Sequence, residues 1–405
     1  MNEDRICRYP SAPKIARFWA MKDVFIYSAK RTPIGSFMGA LAGVSAPQLG
    51  ATAARAALAQ SQAKVEAIDE VIMGNVLSAG VGQAPARQVG IYAGLPKSFR
   101  ALTINKVCGS GLKSVTTAFD RVLLGRASLV LCGGAENMSQ VPYYLKTARA
   151  GFRMGNQEVI DGMVHDGLWD VYNQFHMGNA GELCAKEYKF TREAQDAFAA
   201  DSYKKAMRSI EGGLFKDEIA AVEIASKKET IKVETDEEPG RGKIENFPKL
   251  KPAFAADGTI TAANASSIND GAAALIVGES VSGLKPIARI IHAAEFAQSP
   301  EWFTTAPVGS IKKLLDEAQL KVSDIAAFEV NEAFSVVAMA AQKDLGIPAE
   351  KLNPRGGAVA LGHPIGASGA RLMVTLLHTL KAKEKGVVSL CIGGGEAIAC
   401  LVEKL

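Results

Sequence analysis

The chain predicts an α/β fold made of two similar halves, one of them carrying a long insertion. Three observations lead there. Strand-like apolar runs alternate with helix-like runs from Val24 onward, the pattern of an α/β protein with mainly parallel strands. Landmarks of the first half return roughly 257 residues later, the mark of an internal repeat. The stretch between a glycine-rich turn and the strand after it is short in the second half but about 130 residues long in the first.

The first strand is Val24 to Ala29, followed by an alanine-rich helix from Ala46 to Gln60 with Pro47 near its start. Val71 to Asn75 reads as a second strand. Thr103 to Cys108 is a short apolar strand ending at a cysteine, after which Gly109 and Gly111 permit a tight turn. Val115, Phe119 and Val122 recur at helical spacing, so a helix starts just beyond Cys108. Ala127 to Cys132 is a buried strand running into Gly133-Gly134-Ala135-Glu136. The insertion, Asn137 to Ala265, holds a glycine-rich, Met-containing run, a helix from Thr191 to Ile210, and a charged loop, Lys227 to Lys251, that suits a solvated surface. Ala272 to Val277 then closes the first half.

In the second half Lys321-Val322-Ser323-Asp324-Ile325 echoes Lys64-Val65-Glu66-Ala67-Ile68, and Ser368-Gly369 echoes Ser110-Gly111. Leu390-Cys391-Ile392-Gly393-Gly394-Gly395-Glu396 echoes the run from Leu131 to Glu136, which makes Cys391 and Cys132 repeat mates. Ala327 to Val330 and Ile398 to Val402 are strands. The expected units are residues 21–136 with 266–285, the insertion 137–265, and the second half 286–405.

A net charge of +4 over 405 residues leaves no electrostatic footprint for nucleic acid. The six cysteines (Cys7, Cys108, Cys132, Cys184, Cys391 and Cys400) show no metal-site spacing, and no zinc or other metal site is expected. Scattered thiols suit a reducing compartment. No apolar run reaches membrane-spanning length, so no membrane association is expected. Arg5, Arg8, Lys14 and Arg17 are basic, but Glu3 and Asp4 depart from a transit peptide. Residues 1–20 are therefore expected to be a disordered extension or the result of an upstream start codon, and the location cytoplasmic.

Chemistry gathers at the strand-to-helix turns. Cys108 lies close to the positive end of a helix dipole, which favours the nucleophilic thiolate. The ordinary alternative is a buried cysteine packed as a small hydrophobe. His363, in Gly362-His363-Pro364, falls near the repeat equivalent of Cys108. Two halves packed about a pseudo-twofold would bring these turns together, making His363 a partner for the thiolate. Cys391 is followed by Gly393 to Gly395, whose exposed N–H groups suit an oxyanion hole. Asn331-Glu332-Ala333-Phe334 follows a strand directly.

With these four motifs in order, the chain from Met21 to Leu405 resembles the thiolase family, most closely its biosynthetic acetyl-CoA acetyltransferase members. The resemblance implies duplicated α/β halves layered α-β-α-β-α, with an inserted loop domain. It implies Cys108 as the acylated nucleophile, His363 as its activator, and Cys391 as the acid/base cysteine. Asn331 would position an oxyanion-hole water, and the N–H groups of Cys108 and Gly393 would form a second hole. Leu168, His176, Met177, Ser266, Ala333 and Phe334 match substrate-binding positions. Asn179-Ala180-Gly181-Glu182 departs from the threonines that relatives often carry there.

The implied reaction is a ping-pong condensation of two acetyl-CoA to acetoacetyl-CoA and CoA through acetyl-Cys108, and its reversal by thiolysis. CoA and acetyl-CoA are substrates and products, with no separate cofactor; a homodimer or homotetramer is implied. A degradative 3-ketoacyl-CoA thiolase would share every catalytic residue, though His176-Met177-Gly178 resembles acetoacetyl-forming members. A ketoacyl synthase lacks a Cys391 counterpart, and a non-catalytic acyl-CoA carrier would lack a nucleophile or base.

Overall fold

The structure, a computed structural model, describes residues 22–225 and 229–405. The expected extension, residues 1–20, and Lys227 and Lys228 of the charged loop lie outside the described residues.

Nine strands carry the fold: β1 Val24–Arg31, β2 Glu70–Gly74, β3 Arg100–Ile104, β4 Leu129–Asn137, β5 Asn269–Gly278, β6 Ala288–Ala297, β7 Ala327–Val330, β8 Lys385–Ile392 and β9 Glu396–Lys404. They hydrogen-bond in the order β7-β8-β9-β6-β1-β5-β4-β2-β3. The main helices are α1 Ala46–Ser61, α2 Ser110–Leu123, α3 Met177–Tyr188, α4 Arg192–Glu211, α5 Ala306–Glu317, α6 Ser335–Leu345 and α7 Ser368–Thr379.

Alternation along the strands sorts side chains into layers. Leu129 and Leu131 of β4 pack toward α1, whereas Val130 and Cys132 face a middle core shared with α2 and α7. On β9, Ile398, Cys400 and Val402 enter that same middle core, and Ala399 and Leu401 pack toward α5 and α6. The order is helix, sheet, helix pair, sheet, helix. Helix α7 is sandwiched so completely that every residue from Ser368 to Leu377 is buried, the polar stripe of Ser368, Arg371 and Thr375 included. The two central helices touch at the repeated Ser-Gly pairs. A Cβ on Gly369 would stand 2.3 Å from Leu112 N, and one on Gly111 would stand 2.8 Å from Ala370 N.

The duplication is visible in the register. β1 and β6 pair antiparallel through Phe25↔Arg289, and each carries a bulge three residues on, at Ile26/Ser28 and Ile290/His292. Phe25 pairs with Gly278 and Arg289 with Glu403, so Leu275 and Cys400 are equivalent; their partners are Cys132 and Val388. Cys132 therefore corresponds to Val388 and not to Cys391. The sequence echo is out of step with the structural repeat because β8 turns back at once through Gly393–Gly395, whereas β4 continues to Asn137. The fifth strand of the second half is reduced to one parallel bridge, Phe328↔Leu352.

Two further expectations are corrected. Among the nine strands, only β2–β3, β2–β4 and β7–β8 pair parallel, and their other pairings are antiparallel. A hairpin such as β8–β9 can only be antiparallel. The charged segment is also more than a solvated loop: Thr230–Val233 pairs with Val222–Ala225, and Asp236 is buried. Asp236 accepts two bonds from Arg31 (2.7 and 2.9 Å), while Glu218 takes Arg31 Nε at 2.6 Å. With both partners out of water the geometry is tightly specified, and it ties the insertion to the end of β1.

Candidate active site

The turn between β3 and α2 presents Cys108. Val107, just before it, has φ +45°, a left-handed conformation costly for a β-branched residue, about 1–3 kcal/mol. Local hydrogen bonds hold it there. Asn105 Oδ1 accepts from Val107 N (3.0 Å), and Ser110 Oγ accepts from Lys106 N (2.8 Å) and donates to Val107 O (2.6 Å). The strained residue aims Cys108 into a cavity of about 290 Å³.

Cys108 Sγ faces its own N–H and that of Gly393. Both favour the thiolate, but burial outweighs them and pushes the thiol up to about 11. The expectation of a thiolate at rest, drawn from the helix dipole, is thus corrected: desolvation dominates in the apolar pocket. Alkylation of Cys108 in the free protein should keep accelerating with pH toward about 11; a rate already level near neutral pH would contradict this.

His363 also lines the cavity. Its N–H donates to Asn269 Oδ1 (2.9 Å), and its Nδ1 lies 2.5 Å from Ser368 Oγ. The single hydroxyl proton of Ser368 goes to Pro364 O (2.9 Å). Nδ1 is therefore the protonated nitrogen, which leaves Nε2 as the acceptor. Asn331 Nδ2 faces Nε2 at 3.4 Å. Burial first, and then the positive charge of Arg371, lower the imidazole to about 3, so His363 rests neutral. Cys108 and His363 share the cavity as a neutral thiol and imidazole and not as the expected ion pair. Ser368→Ala should lower kcat roughly five- to tenfold, the equivalent of about 1 kcal/mol for one hydrogen bond. Unchanged turnover would mean that packing alone sets the ring.

Cys391, near the end of β8, is fully buried beside Phe334, Ala180 and Cys184. Burial, with Cys108 adding to it, raises its thiol well above the ordinary range. Asn331 is likewise buried; its N–H donates to Ser389 O (2.9 Å), and its Oδ1 has no protein partner among the described residues. Cys391 and Asn331 thus pack behind the cavity surface, whereas Cys108, His363 and Gly393 are on it. Next to Asn331, Glu332 accepts from Ser202 Oγ on α4 and Asn353 Nδ2, both at 2.7 Å. That network fastens the Asn-Glu-Ala-Phe turn to the insertion.

Leu168, His176, Met177, Ser266, Ala333 and Phe334 all line the cavity. His176 stacks on Phe254 with ring centroids 4.7 Å apart, and its Nδ1 accepts from Gly178 N at 3.1 Å. Ser266 Oγ donates to Ala333 O at 3.0 Å. In the departing segment, Asn179 Nδ2 donates to Phe254 O and Glu182 accepts from Thr259 and Ile260, so these residues support the Phe254 wall.

Sequence reasoning missed Met138, Phe254, Phe303 and Ile365 on the cavity wall. It also missed Glu136, whose carboxyl accepts from Asn75 Nδ2 (2.8 Å), Val76 N (3.0 Å) and Gly366 N (2.9 Å). Glu136 thereby clamps the His363 loop, and burial raises its carboxyl to about 7. The repeat offered a signal: Glu396, its counterpart in the sequence echo, pairs across the halves with Lys106 of the Cys108 turn.

Residues 24–280 match the family described as thiolase, N-terminal domain, and residues 284–404 match thiolase, C-terminal domain. An acetyl-CoA acetyltransferase of Pseudomonas aeruginosa is 47% identical over 387 residues, covering 94% of this chain and 98% of the relative. A mitochondrial acetyl-CoA acetyltransferase of Gibberella zeae is 47% identical over 393 residues, covering 95% and 91%. The crystal structure of a thiolase from Ascaris suum in complex with coenzyme A superposes with a TM-score of 0.90 at 44% identity, covering 95% of this chain and 100% of that one.

Proposed function

The chain belongs to the thiolase family, and we propose that it is an acetyl-CoA C-acetyltransferase that joins two acetyl-CoA into acetoacetyl-CoA and CoA and runs the reverse thiolysis. The observation that carries the reading is Cys108 on the cavity wall, with its own N–H and that of Gly393 facing Sγ, and neutral His363 in the same cavity.

The geometry supports the following roles. As a thioester reaches Cys108, the thiol proton passes to His363 Nε2. Sulfur attacks the carbonyl carbon, and the developing oxyanion is held by the N–H groups of Cys108 and Gly393. CoA leaves with the proton, and acetyl-Cys108 remains. Cys391 passes its thiol proton to the freed His363 Nε2 and, as a thiolate, takes an α proton from the second acetyl-CoA. Asn331, through a water, and the now protonated His363 Nε2 hold the enolate oxygen while its carbon attacks acetyl-Cys108, whose sulfur leaves and takes the proton back from His363. Leu168, His176, Met177, Ser266, Ala333 and Phe334 hold the acyl group and the pantetheine arm.

Every step is a proton or acyl transfer between protein and CoA thioester, so the reaction calls for CoA species alone. Among the described residues no cluster of three or more His, Cys, Asp or Glu could hold a metal ion, and no helix is long and apolar enough to cross a membrane. A homo-oligomer is part of the proposal, supported by edge strand β3, which leaves Arg100 to Leu102 exposed. A cytoplasmic location is proposed too, on the free thiols, which suit a reducing compartment. Fractionation and light scattering test these two.

The central test is incubation with acetyl-CoA followed by peptide mass mapping. An acetyl group on Cys108, released by added CoA, is expected. A folded protein that gains no mass on Cys108 would favour the acyl-CoA carrier.

A further inference from the structure

We propose that Met138 and Ile365 form the end wall of the acyl site and set how long a chain Cys108 can carry. The inference rests on the acyl-Cys108 reading above and assigns chain-length selection to residues outside the motif positions.

Cys108 packs against one apolar cluster: Val76, Leu77, Met138, Met163 and Ile365. Of those five, only Met138 and Ile365 reach the cavity surface. They are 2% and 1% exposed, with Val76, Leu77 and Met163 buried around them. An acyl group on Sγ therefore meets two side chains that have no free space to move into. Met177 and Phe254, by contrast, pack with the separate cluster around Cys391 and Phe334.

The wall is also held rigidly from outside. Beside Met138, Ser139 donates its N–H (3.0 Å) and its hydroxyl (2.7 Å) to Asp270. Beside Ile365, Gly366 N–H donates to buried Glu136. The insertion presses on the same place, since a Cβ on Gly167 would stand 3.1 Å from Ile365 Cδ1 and 3.3 Å from Leu77 Cδ2. An acetyl group ends before such a wall, whereas longer straight chains must displace it, and a close-packed interior resists that.

Thiolysis of 3-oxohexanoyl-CoA isolates this site. Cleavage expels acetyl-CoA and leaves butanoyl on Cys108 in place of acetyl, and CoA then carries the butanoyl group away. The measurement is the ratio of kcat/KM for 3-oxohexanoyl-CoA to that for acetoacetyl-CoA. Met138→Ala should raise this ratio roughly tenfold or more, the discrimination a few methylenes provide in a tight pocket. Ile365→Val trims one methylene from the same wall and should raise it less; where Met138→Ala fails to fold, this second variant decides. A ratio that stays at the wild-type value in the folded variants overturns the proposal while leaving the function intact. A wild-type protein that takes no acyl group on Cys108 from either substrate overturns both.

Discussion

Cys108→Ser is expected to abolish synthesis and thiolysis together, by on the order of 10⁴-fold or more, while the fold and its melting temperature stay close to wild type. The substitution keeps the shape of the turn: serine fits the backbone that Val107 and Ser110 hold in place, and the N–H groups of residue 108 and Gly393 remain. What it removes is an acid that His363 can serve. The imidazole is held near 3 by burial and Arg371, far too weak a base for an alcohol. A thiol pushed up to about 11 is already difficult, and it is reached only because the incoming carbonyl gives the forming charge somewhere to go. Oxygen fails at the second step as well, since an ester returns its acyl group to a thiol far less readily than a thioester does. Turnover within about tenfold of wild type, measured as CoA release and as acetoacetyl-CoA loss, would remove Cys108 from the centre of the mechanism.

The parts of this site that could be read in the sequence are those that announce themselves within a few residues. Cys108, His363, Asn331, Cys391 and Gly393 all sit in short runs where small residues mark a strand-to-helix or strand-to-strand turn, and a turn at a strand end is where a fold exposes chemistry. Met138, Phe254 and Phe303 carry no such mark, and Ile365, though in the same turn as His363, has no chemical group to single it out. Each is a single apolar residue whose role comes from long-range packing, and local sequence does not encode which distant wall it completes. The protonation states were misread for a related reason. A helix terminus is visible in a sequence, but the desolvation that outweighs it depends on walls supplied by several remote segments.

The repeat was legible as a repeat but not in its register. Small residues recur wherever a strand must turn tightly, so the two Leu-Cys runs align by composition even though the ladder places Val388 opposite Cys132 in the pseudo-symmetry. Strand direction was hidden too, because alternation of strands and helices does not show that β9 folds straight back on β8.

That slip in register sharpens the comparison of Cys391→Ala with Cys132→Ala. Both thiols are fully buried, and both replacements delete one small side chain, for a cost of about 1 kcal/mol in stability. Their surroundings differ completely. Cys132 points into the middle core with α2 and α7, and Cys400 is its neighbour in charge. Cys391 points the other way, into the cluster with Phe334 and Cys184, close enough to Cys108 that charge there raises the Cys391 thiol further. Condensation by Cys391→Ala should therefore fall by roughly 10²–10⁴-fold, the range a positioned acid or base contributes. Uptake of acetyl from acetyl-CoA onto Cys108 should stay within about tenfold, since that half-reaction needs only the nucleophile, His363 and the two N–H donors. Cys132→Ala should keep both half-reactions and lose only a few degrees of melting temperature. Single-turnover acetylation followed by mass mapping separates the two steps. An equal loss of condensation in both variants would mean that Cys391 acts through packing, and that the α proton leaves by another route.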